Sequence, residues 1–179
     1  GKIGNYDLVY SGGYFERKTD NVVDYAEYAI AYDQFEYNYS RWDDGAGGLL
    51  NPTQYTANRD KYTKLNQEIR ISSPAGDRFR FVLGGFMQRQ TDDIRAEFRV
   101  DGLPTLDTVP VRRPDVYVYA VDGQPGILYL SQQTRVDRDY AVFGDMTYDL
   151  SDKWKISAGI RQFWANNTLY GFFGFQEFN

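Results

Sequence analysis

The feature that most constrains the fold is a two-residue alternation of side-chain character that runs from Ile127 to Leu150. Large apolar side chains recur at one parity of this stretch, at Leu128, Leu130, Val136, Tyr140, Val142, Met146, Tyr148 and Leu150. Successive side chains of a β-strand point to opposite faces of a sheet, so the alternation predicts one long strand with two unlike faces. A strand of this length far exceeds the mean of about 5–6 residues in globular proteins.

The same alternation recurs in other parts of the chain. Residues 5–18, NYDLVYSGGYFERK, predict a first strand, and residues 64–90 predict a hairpin around the turn SPAGD. The strand that ends at Leu150 is followed by the turn SDK and a return strand that begins WKISAGIR. We expect loops across about 19–62 and 91–126, where the runs DDGAGG and DGQPG are typical of loops. The sequence therefore predicts an all-β antiparallel fold in which short turns alternate with long loops.

The residue composition fits such a sheet and excludes several classes of function. The chain of 179 residues contains 16 Tyr, 12 Phe, 3 Trp and 17 Gly, and aromatic side chains favour half-buried pleated surfaces. A net charge of -5 without a basic stripe argues against nucleic acid as a partner. The absence of cysteine and histidine excludes disulfide bonds, thiolate metal sites and histidine-dependent catalysis within this chain. We therefore predict no metal site and no cofactor.

Two architectures accommodate strands whose faces differ in this way. In a membrane-spanning β-barrel, one face contacts hydrocarbon and the other faces a wet interior that accepts residues such as Asp145, Lys155 and Arg161. In a soluble antiparallel sandwich, the inward faces form a dry core and consist mainly of Val, Ile and Leu. The polar face here mixes charged with small residues, and the apolar face mixes aromatic residues with glycine, which favours the barrel. No run of about 18 apolar residues is present, but barrel strands leave no such run.

Two hairpins resemble those of a known family. The segment KLNQEIRISSPAGDRFRFVLGGFMQRQ (64–90) resembles a strand and its return strand in TonB-dependent outer-membrane receptors. The segment DYAVFGDMTYDLSDKWKISAGIR (139–161) resembles a hairpin that recurs in these receptors. The segments DYAEYAIAYD (24–33) and NNTLYGFFGF (166–175) are similar to those of a proteobacterial subgroup of the family. The order and spacing of the two hairpins carry the resemblance.

The resemblance implies a barrel of about 22 strands around a globular plug, in the outer membrane of a Gram-negative bacterium. It implies a receptor for the uptake of a scarce small-molecule or oligosaccharide ligand, such as a siderophore, with energy delivered through TonB. The expected partners are outer-membrane lipid, the receptor's own plug and, through the plug, TonB. About five transmembrane strands are recognisable. We therefore interpret residues 1–179 as part of one barrel domain, with short periplasmic turns and long extracellular loops, that lacks the plug and the terminal strands.

Candidate ligand-binding residues lie in the predicted external loop DQFEYNYSRWDDGAGG (33–48). They are the aromatic residues Phe35, Tyr37, Tyr39 and Trp42. Their rings can stack on sugars, catecholates or planar chelates, or they can simply pack the loop against its neighbours. Aromatic residues at helical spacing across 25–35 also permit a short helix before this loop.

Charged residues on the polar faces of the predicted strands complete the candidate site. We predict that five of them face the lumen or the plug: Glu68, Arg70, Arg80, Asp145 and Arg161. Arg70 and Arg80 lie close to a short turn, where we expect them to pair with Glu68 or with acidic groups of a plug.

No catalytic residue is predicted. Glu68 and Asp145 belong to different hairpins, and nothing in the sequence places them the roughly 5–10 Å apart that a glycosidase pair needs. We expect a transporter rather than an enzyme. Two other interpretations stay open: a soluble β-sandwich that binds carbohydrate through aromatic loops, and an acid/base hydrolase on a β scaffold.

Overall fold

A computed structural model describes residues 1–35, 48–51, 53–103, 111–112, 117–118, 120–121 and 123–175. Its regular elements, in chain order, are β1 (Lys2–Ile3), β2 (Tyr6–Asp24), α1 (Ala26–Asp33), β3 (Gln54–Ser72), β4 (Phe79–Val100), β5 (Val111–Arg112), β6 (Tyr117–Val118), β7 (Ile127–Ser151) and β8 (Trp154–Gly174). Six of the strands form one antiparallel sheet in the order β1-β2-β3-β4-β7-β8, and β5 pairs with β6 separately. The predicted all-β antiparallel fold is confirmed.

The six-stranded sheet is open, because its first and last strands do not pair with each other. At one edge, the short strand β1 pairs with β2 only where Lys2 lies opposite Asp7 and Ile3 opposite Tyr6. At the other edge, β8 has 21 residues and is exposed along almost its whole length. Both edges therefore leave backbone N–H and C=O groups of long strands outside the hydrogen-bond ladder of this sheet.

Several strands are longer than the sequence predicted. β7 and β8 begin where the alternation placed them. In contrast, β2, β3 and β4 extend through residues 19–24, 54–62 and 91–100, so the prediction of loops for these segments is wrong. The extensions of β2 and β3 carry polar or charged side chains on both faces, as in the run NRDK (58–61), and therefore lack the apolar alternation that marks the other strand segments. The extension of β4 does alternate, but its apolar residues, from Ile94 to Val100, have the opposite parity to those of 79–87, so it does not continue the same pattern.

Residue contacts divide the chain into two compact units. The first unit comprises Gly1–Arg17, Tyr62–Asp92 and Arg135–Leu169. The second unit comprises Lys18–Lys61, Asp93–Thr134 and Tyr170–Asn179.

The strands of the first unit have two unlike faces. Cross-strand contacts define them: the ring of Tyr6 lies 5.9 Å from that of Phe81 on one face, and Thr147 hydrogen-bonds Ser157 at 3.0 Å on the other. The apolar face carries Tyr6, Leu8, Tyr10, Tyr14, Ile69, Ile71, Phe79, Phe81, Leu83, Met87, Tyr140, Val142, Met146, Tyr148, Leu150, Trp154, Ile156, Ile160 and Trp164. The polar face carries Glu68, Arg70, Arg80, Phe86, Gln88, Asp139, Phe143, Asp145, Thr147, Asp149, Lys155, Ser157 and Arg161.

The apolar face is exposed to solvent and does not line a core. The exposed fraction is 65% for Tyr10, 48% for Leu83 and 77% for Ile160. Among the described residues of the first unit, the buried hydrophobic side chains are Val136 and Ala141. This unit therefore lacks, within its described residues, the dry core that a soluble sandwich requires.

The second unit contains small clusters of buried aliphatic side chains. One cluster consists of Val100, Leu103, Ala120 and Leu128, with the partly buried Leu50 packed against it. The other cluster consists of Val121, Ile127 and Leu130. Burial of these side chains stabilises the end of β4 and the start of β7.

The helix α1 follows β2 directly, at the aromatic residues whose spacing permitted it. The carboxylate of Asp24 accepts a hydrogen bond of 2.8 Å from the backbone N–H of Ala26, which satisfies a donor of the first turn. Among the helix residues whose side chains are described, Ala29 is buried, whereas Ile30 is exposed. In the part of the chain that the structure describes, no helix is long and apolar enough to cross a membrane.

Gly84 allows the ring of Phe143 to lie against the backbone of β4 on the polar face. A Cβ atom at Gly84 would overlap three carbon atoms of this ring. The adjacent Gly85 is different, because its nearest neighbour would be the carbonyl oxygen of Ala141 at 4.0 Å. The two glycines therefore form a matched pair of test positions.

We expect Gly84→Ala to lower the free energy of unfolding by about 1–3 kcal/mol, because the Phe143 ring must leave its place. Gly85→Ala should have a much smaller effect. Urea denaturation of the purified protein measures both, and adding Phe143→Leu to Gly84→Ala should recover part of the loss. An equal loss of stability in the two single variants would contradict this packing.

Candidate functional site

The polar face of the first unit carries a bidentate ion pair between β4 and β7. Arg80 donates from Nη1 and Nη2 to the two carboxylate oxygens of Asp149, each at 2.7 Å. Arg80 Nη1 also donates to the carbonyl oxygen of Asp77 at 2.7 Å, and Lys155 Nζ lies 3.8 Å from Asp149 Oδ1. Because bidentate arginine–carboxylate pairs are geometrically specific, this pair fixes how the two strands meet beside the β3–β4 connection.

A second pair lies within β3. Arg70 Nε is 3.0 Å from Glu68 Oε1, and these residues share a face because they are two positions apart. The Arg70 side chain is 47% exposed, so the pair contributes little to stability. Arg70 thus has its acidic partner within this chain.

Arg161 contacts two aromatic rings of the polar face. Its guanidinium carbon lies 5.8 Å from the ring centroid of Phe86 and 5.7 Å from that of Phe143, which is cation–π distance. Asp145 packs against Gly159 of the neighbouring strand so closely that a Cβ atom there would overlap its carboxylate. All five charged residues predicted for the lumen or the plug lie on the polar face, but the structure distributes them over separate contacts.

The predicted ligand-binding loop is described only in part. Phe35 follows the end of α1 and is 69% exposed. Tyr37, Tyr39 and Trp42 lie outside the described residues.

The second unit holds a row of aromatic rings that the sequence did not reveal. Tyr25 stacks on Tyr28 with a centroid distance of 4.9 Å and also meets Phe98 edge-to-face at 5.2 Å. Phe98 meets Tyr129 at 5.4 Å, and Tyr129 meets Phe175 at 5.0 Å, both edge-to-face. We name these five residues the ring row. Phe98 and Tyr129 stand in segments of plain alternation, but only the pairing of β4 with β7 brings them together.

Glu97 of the second unit is held between two arginines of its own strand. Its side chain is buried, and its carboxylate accepts hydrogen bonds from Arg95 Nε at 2.6 Å and Arg99 Nη1 at 2.8 Å. Burial raises the pKa of Glu97, but the hydrogen bonds from the two guanidinium groups outweigh burial and hold the pKa below its usual value. Arg95 is held in turn by Gln132 and Gln124, which accept at 2.5 and 2.7 Å.

The contacts of Glu97 argue against an acid–base role for this residue. Glu97 is ionised and fully engaged, which makes it a structural group and not a proton donor at neutral pH. Within the described ranges, no three Asp, Glu, His or Cys side chains converge as a metal site requires. No protein-family model matches the chain, and no curated protein matches it significantly.

We expect Glu97→Gln to lower the free energy of unfolding at pH 7 by about 1.5–3 kcal/mol, because charge-assisted hydrogen bonds are lost. Since the folded-state pKa lies below the ordinary value of 4.5, this contribution is present above about pH 4.5. It disappears as the pH falls through the folded-state pKa, so the gap between wild type and variant should narrow on acidification.

Denaturant unfolding between pH 7 and pH 3 measures this gap. Asp20→Asn is the control, because its ion pair with Arg59 is largely exposed and its loss should have little effect. A gap that is the same at both pH values would contradict the proposed role of the Glu97 charge.

Proposed function

We propose that the chain forms part of a membrane-spanning β-barrel receptor in the outer membrane of a Gram-negative bacterium. The observation that carries the proposal is the exposed apolar face of the first unit. Large aromatic and aliphatic side chains lie in solvent-accessible positions along β2, β3, β4, β7 and β8, which are neighbours in the sheet. Hydrocarbon covers such a face without any second layer of protein.

The lengths of the apolar runs support a membrane. The apolar parity is occupied from 6 to 14 in β2, 79 to 87 in β4, 140 to 150 in β7 and 154 to 164 in β8. A tilted strand needs roughly 9–11 residues to cross the hydrocarbon region, and each run has about this length. The next residue of the same parity beyond each of three runs is charged: Glu16 in β2, Arg89 in β4 and Arg138 in β7.

Aromatic residues at the ends of the runs support the same proposal. Tyr6 and Tyr14 bound the run in β2, and Trp154 and Trp164 bound the run in β8. Tyr and Trp favour the two interfaces of a membrane, where an apolar ring meets hydrocarbon and a polar group meets water.

The polar face suits the wet interior of a barrel or the surface of a plug. Its charges are balanced within the chain by the Arg80–Asp149 and Glu68–Arg70 pairs, and Thr147 and Ser157 bond each other. Paired charges and short hydroxyl side chains tolerate water without a dry core.

The proposal requires more strands than this chain holds. Both edges of the sheet are open, and the resemblance to TonB-dependent receptors implies about 22 strands around a plug. In this mechanism, external loops capture a scarce ligand, the plug rearranges with energy from TonB, and the ligand passes through the lumen. We propose a receptor and transporter without enzymatic activity.

A soluble carbohydrate-binding β-sandwich is the second candidate, and the ring row favours it. Such a protein needs a further layer to bury the apolar face of the first unit. The described residues of that unit supply none, so we rank this candidate below the receptor.

Arginine substitutions on the two faces of β8 test the membrane proposal. Ile160 lies on the apolar face at 77% exposure, and Ile160→Arg should cost about 2–4 kcal/mol if its side chain meets the middle of the bilayer. Ser157→Arg is the matched control, because it adds the same charge on the polar face of the same strand. We expect Ile160→Arg to lower the yield of folded protein in the outer-membrane fraction several-fold and Ser157→Arg to leave it nearly unchanged.

The native polypeptide itself provides the complementary measurement. Its intact mass, taken from the membrane fraction in detergent, should be several-fold above the 20.7 kDa of this chain. A native mass near 20.7 kDa would overturn the large barrel, and recovery in the soluble fraction with equal yields of both arginine variants would overturn the membrane location.

A further inference from the structure

We propose that the ring row binds a neutral oligosaccharide. The inference rests on the proposed receptor function and names its ligand class. Its basis is the chemistry of one face of the second unit, on which aromatic rings stand beside uncharged hydrogen-bonding side chains.

The ring row is continuous and accessible. Its members are Tyr28, Tyr25, Phe98, Tyr129 and Phe175, and successive ring centroids are 4.9 to 5.4 Å apart. Phe175 is 54% exposed, and the other four rings are half-buried. Sugar rings present C–H groups that pack on aromatic faces, so a row of rings can contact several units of one saccharide chain.

Hydrogen-bonding groups on the same face are mainly uncharged amides and hydroxyls, and the acidic Asp60 also has the parity of Asn58. In β7, Ser131 and Gln133 follow Tyr129 at the same parity, and the Ser131 hydroxyl lies 3.5 Å from Gln133 Oε1. On the other side of β4, Asn58 of β3 donates to Asn21 of β2 at 3.0 Å. Amides and hydroxyls can both donate to and accept from sugar hydroxyls, which is the polar complement that a saccharide requires.

The sign of charge separates this ligand class from anionic ones. The basic residues of β3 and β4 in this unit, Arg59, Lys61, Arg95 and Arg99, have the opposite parity to Asn58 and Phe98. Among the residues that β2, β3, β4, β7 and β8 contribute to the second unit, no Lys or Arg shares the face of the ring row. A carboxylate, phosphate or catecholate ligand would be desolvated there without a cationic partner, which is costly.

A competing explanation is that the rings only pack α1 against the sheet. Tyr25 directly precedes α1, Tyr28 lies in its first turn, and Tyr25 contacts Phe98. Phe175 lies at the opposite end of the row, beyond β8, and its ring contact is with Tyr129. Its replacement therefore tests binding with little effect on the packing of α1.

The test is isothermal titration calorimetry on the complete native protein that contains this chain, purified from whichever cell fraction holds it. The neutral probes are maltohexaose, cellohexaose and xylohexaose, and hexagalacturonate is the anionic probe. The variants are Phe98→Leu, Tyr129→Leu and Phe175→Leu, which remove a ring but keep an apolar side chain. Trp154→Leu is the matched control, because its ring belongs to the apolar face of the first unit.

We expect at least one neutral probe to bind and each ring-row variant to weaken that binding roughly 2-fold to 10-fold. The melting temperature of Phe175→Leu and the affinity of Trp154→Leu should stay at the wild-type values. Tighter binding of hexagalacturonate, failure of all three neutral probes, or wild-type affinity in all three ring-row variants would each overturn the inference.

The experiment distinguishes failure of the receptor proposal from failure of the saccharide proposal. Ring-dependent binding of a neutral saccharide by a protein found in the soluble fraction would support the ring row and overturn the receptor. If the protein is membrane-embedded but binds no neutral probe, the receptor proposal stands and the proposal that the ring row binds a saccharide is overturned.

Discussion

Exposure of large apolar side chains along neighbouring strands imposes a free-energy cost that nothing within the first unit recovers. Full burial of one such side chain contributes about 1.5–3 kcal/mol, and Tyr10 and Ile160 remain largely exposed. A strand cannot hide its apolar side chains by a one-residue shift in register, because that shift would bring its charged side chains to the exposed face instead. The first unit therefore depends on an apolar medium or a covering layer, and its other features are consistent with that dependence.

Charge is arranged by the same period of two. Arg70 pairs with Glu68, Arg95 and Arg99 pair with Glu97, and Arg135 lies 3.0 Å from Asp137. Each pair joins residues two positions apart, which point to one face of one strand. Such pairs neutralise charge locally without requiring a partner strand. The Arg80–Asp149 pair is different, because it forms only when β4 and β7 are neighbours.

Strands could be predicted from the sequence where apolar and polar residues alternate on a constant parity. The hairpin at 64–90 and the strands on either side of residues 152–153 follow from that pattern. It could not reveal the extension at 54–62, where polar residues occupy both faces and periodicity gives no signal. Residues 92–100 do alternate, but their apolar parity is opposite to that of 79–87, so the pattern did not extend the predicted strand. The five charged residues predicted for the lumen or the plug were assigned to the polar face by parity alone. Apart from the expected Arg70–Glu68 pair, their partners were not predicted, since contacts such as those of Arg161 join segments far apart in sequence.

The ring row could not be predicted from the sequence either. Each of its residues reads as one more aromatic in a chain that has 31, and no spacing links residue 25 to 98, 129 and 175. Strand pairing creates the row, so any function it has belongs to the fold and not to a motif. The predicted aromatic loop, in contrast, was a local cluster and therefore visible in the sequence.

The open edge at β8 has a practical consequence for handling the protein. The outer edge of this 21-residue strand has no partner strand in the sheet, and the strand contains no proline and has Lys155 and Arg161 as its charged side chains. Natural sheets protect such edges with prolines, charges or bulges, because an uncovered edge templates the addition of another chain. When this chain is expressed without the strands that would cover β8, we expect the β8 edge of one copy to pair with another copy. Such pairing would lead to aggregation as ordered fibrils or inclusion bodies.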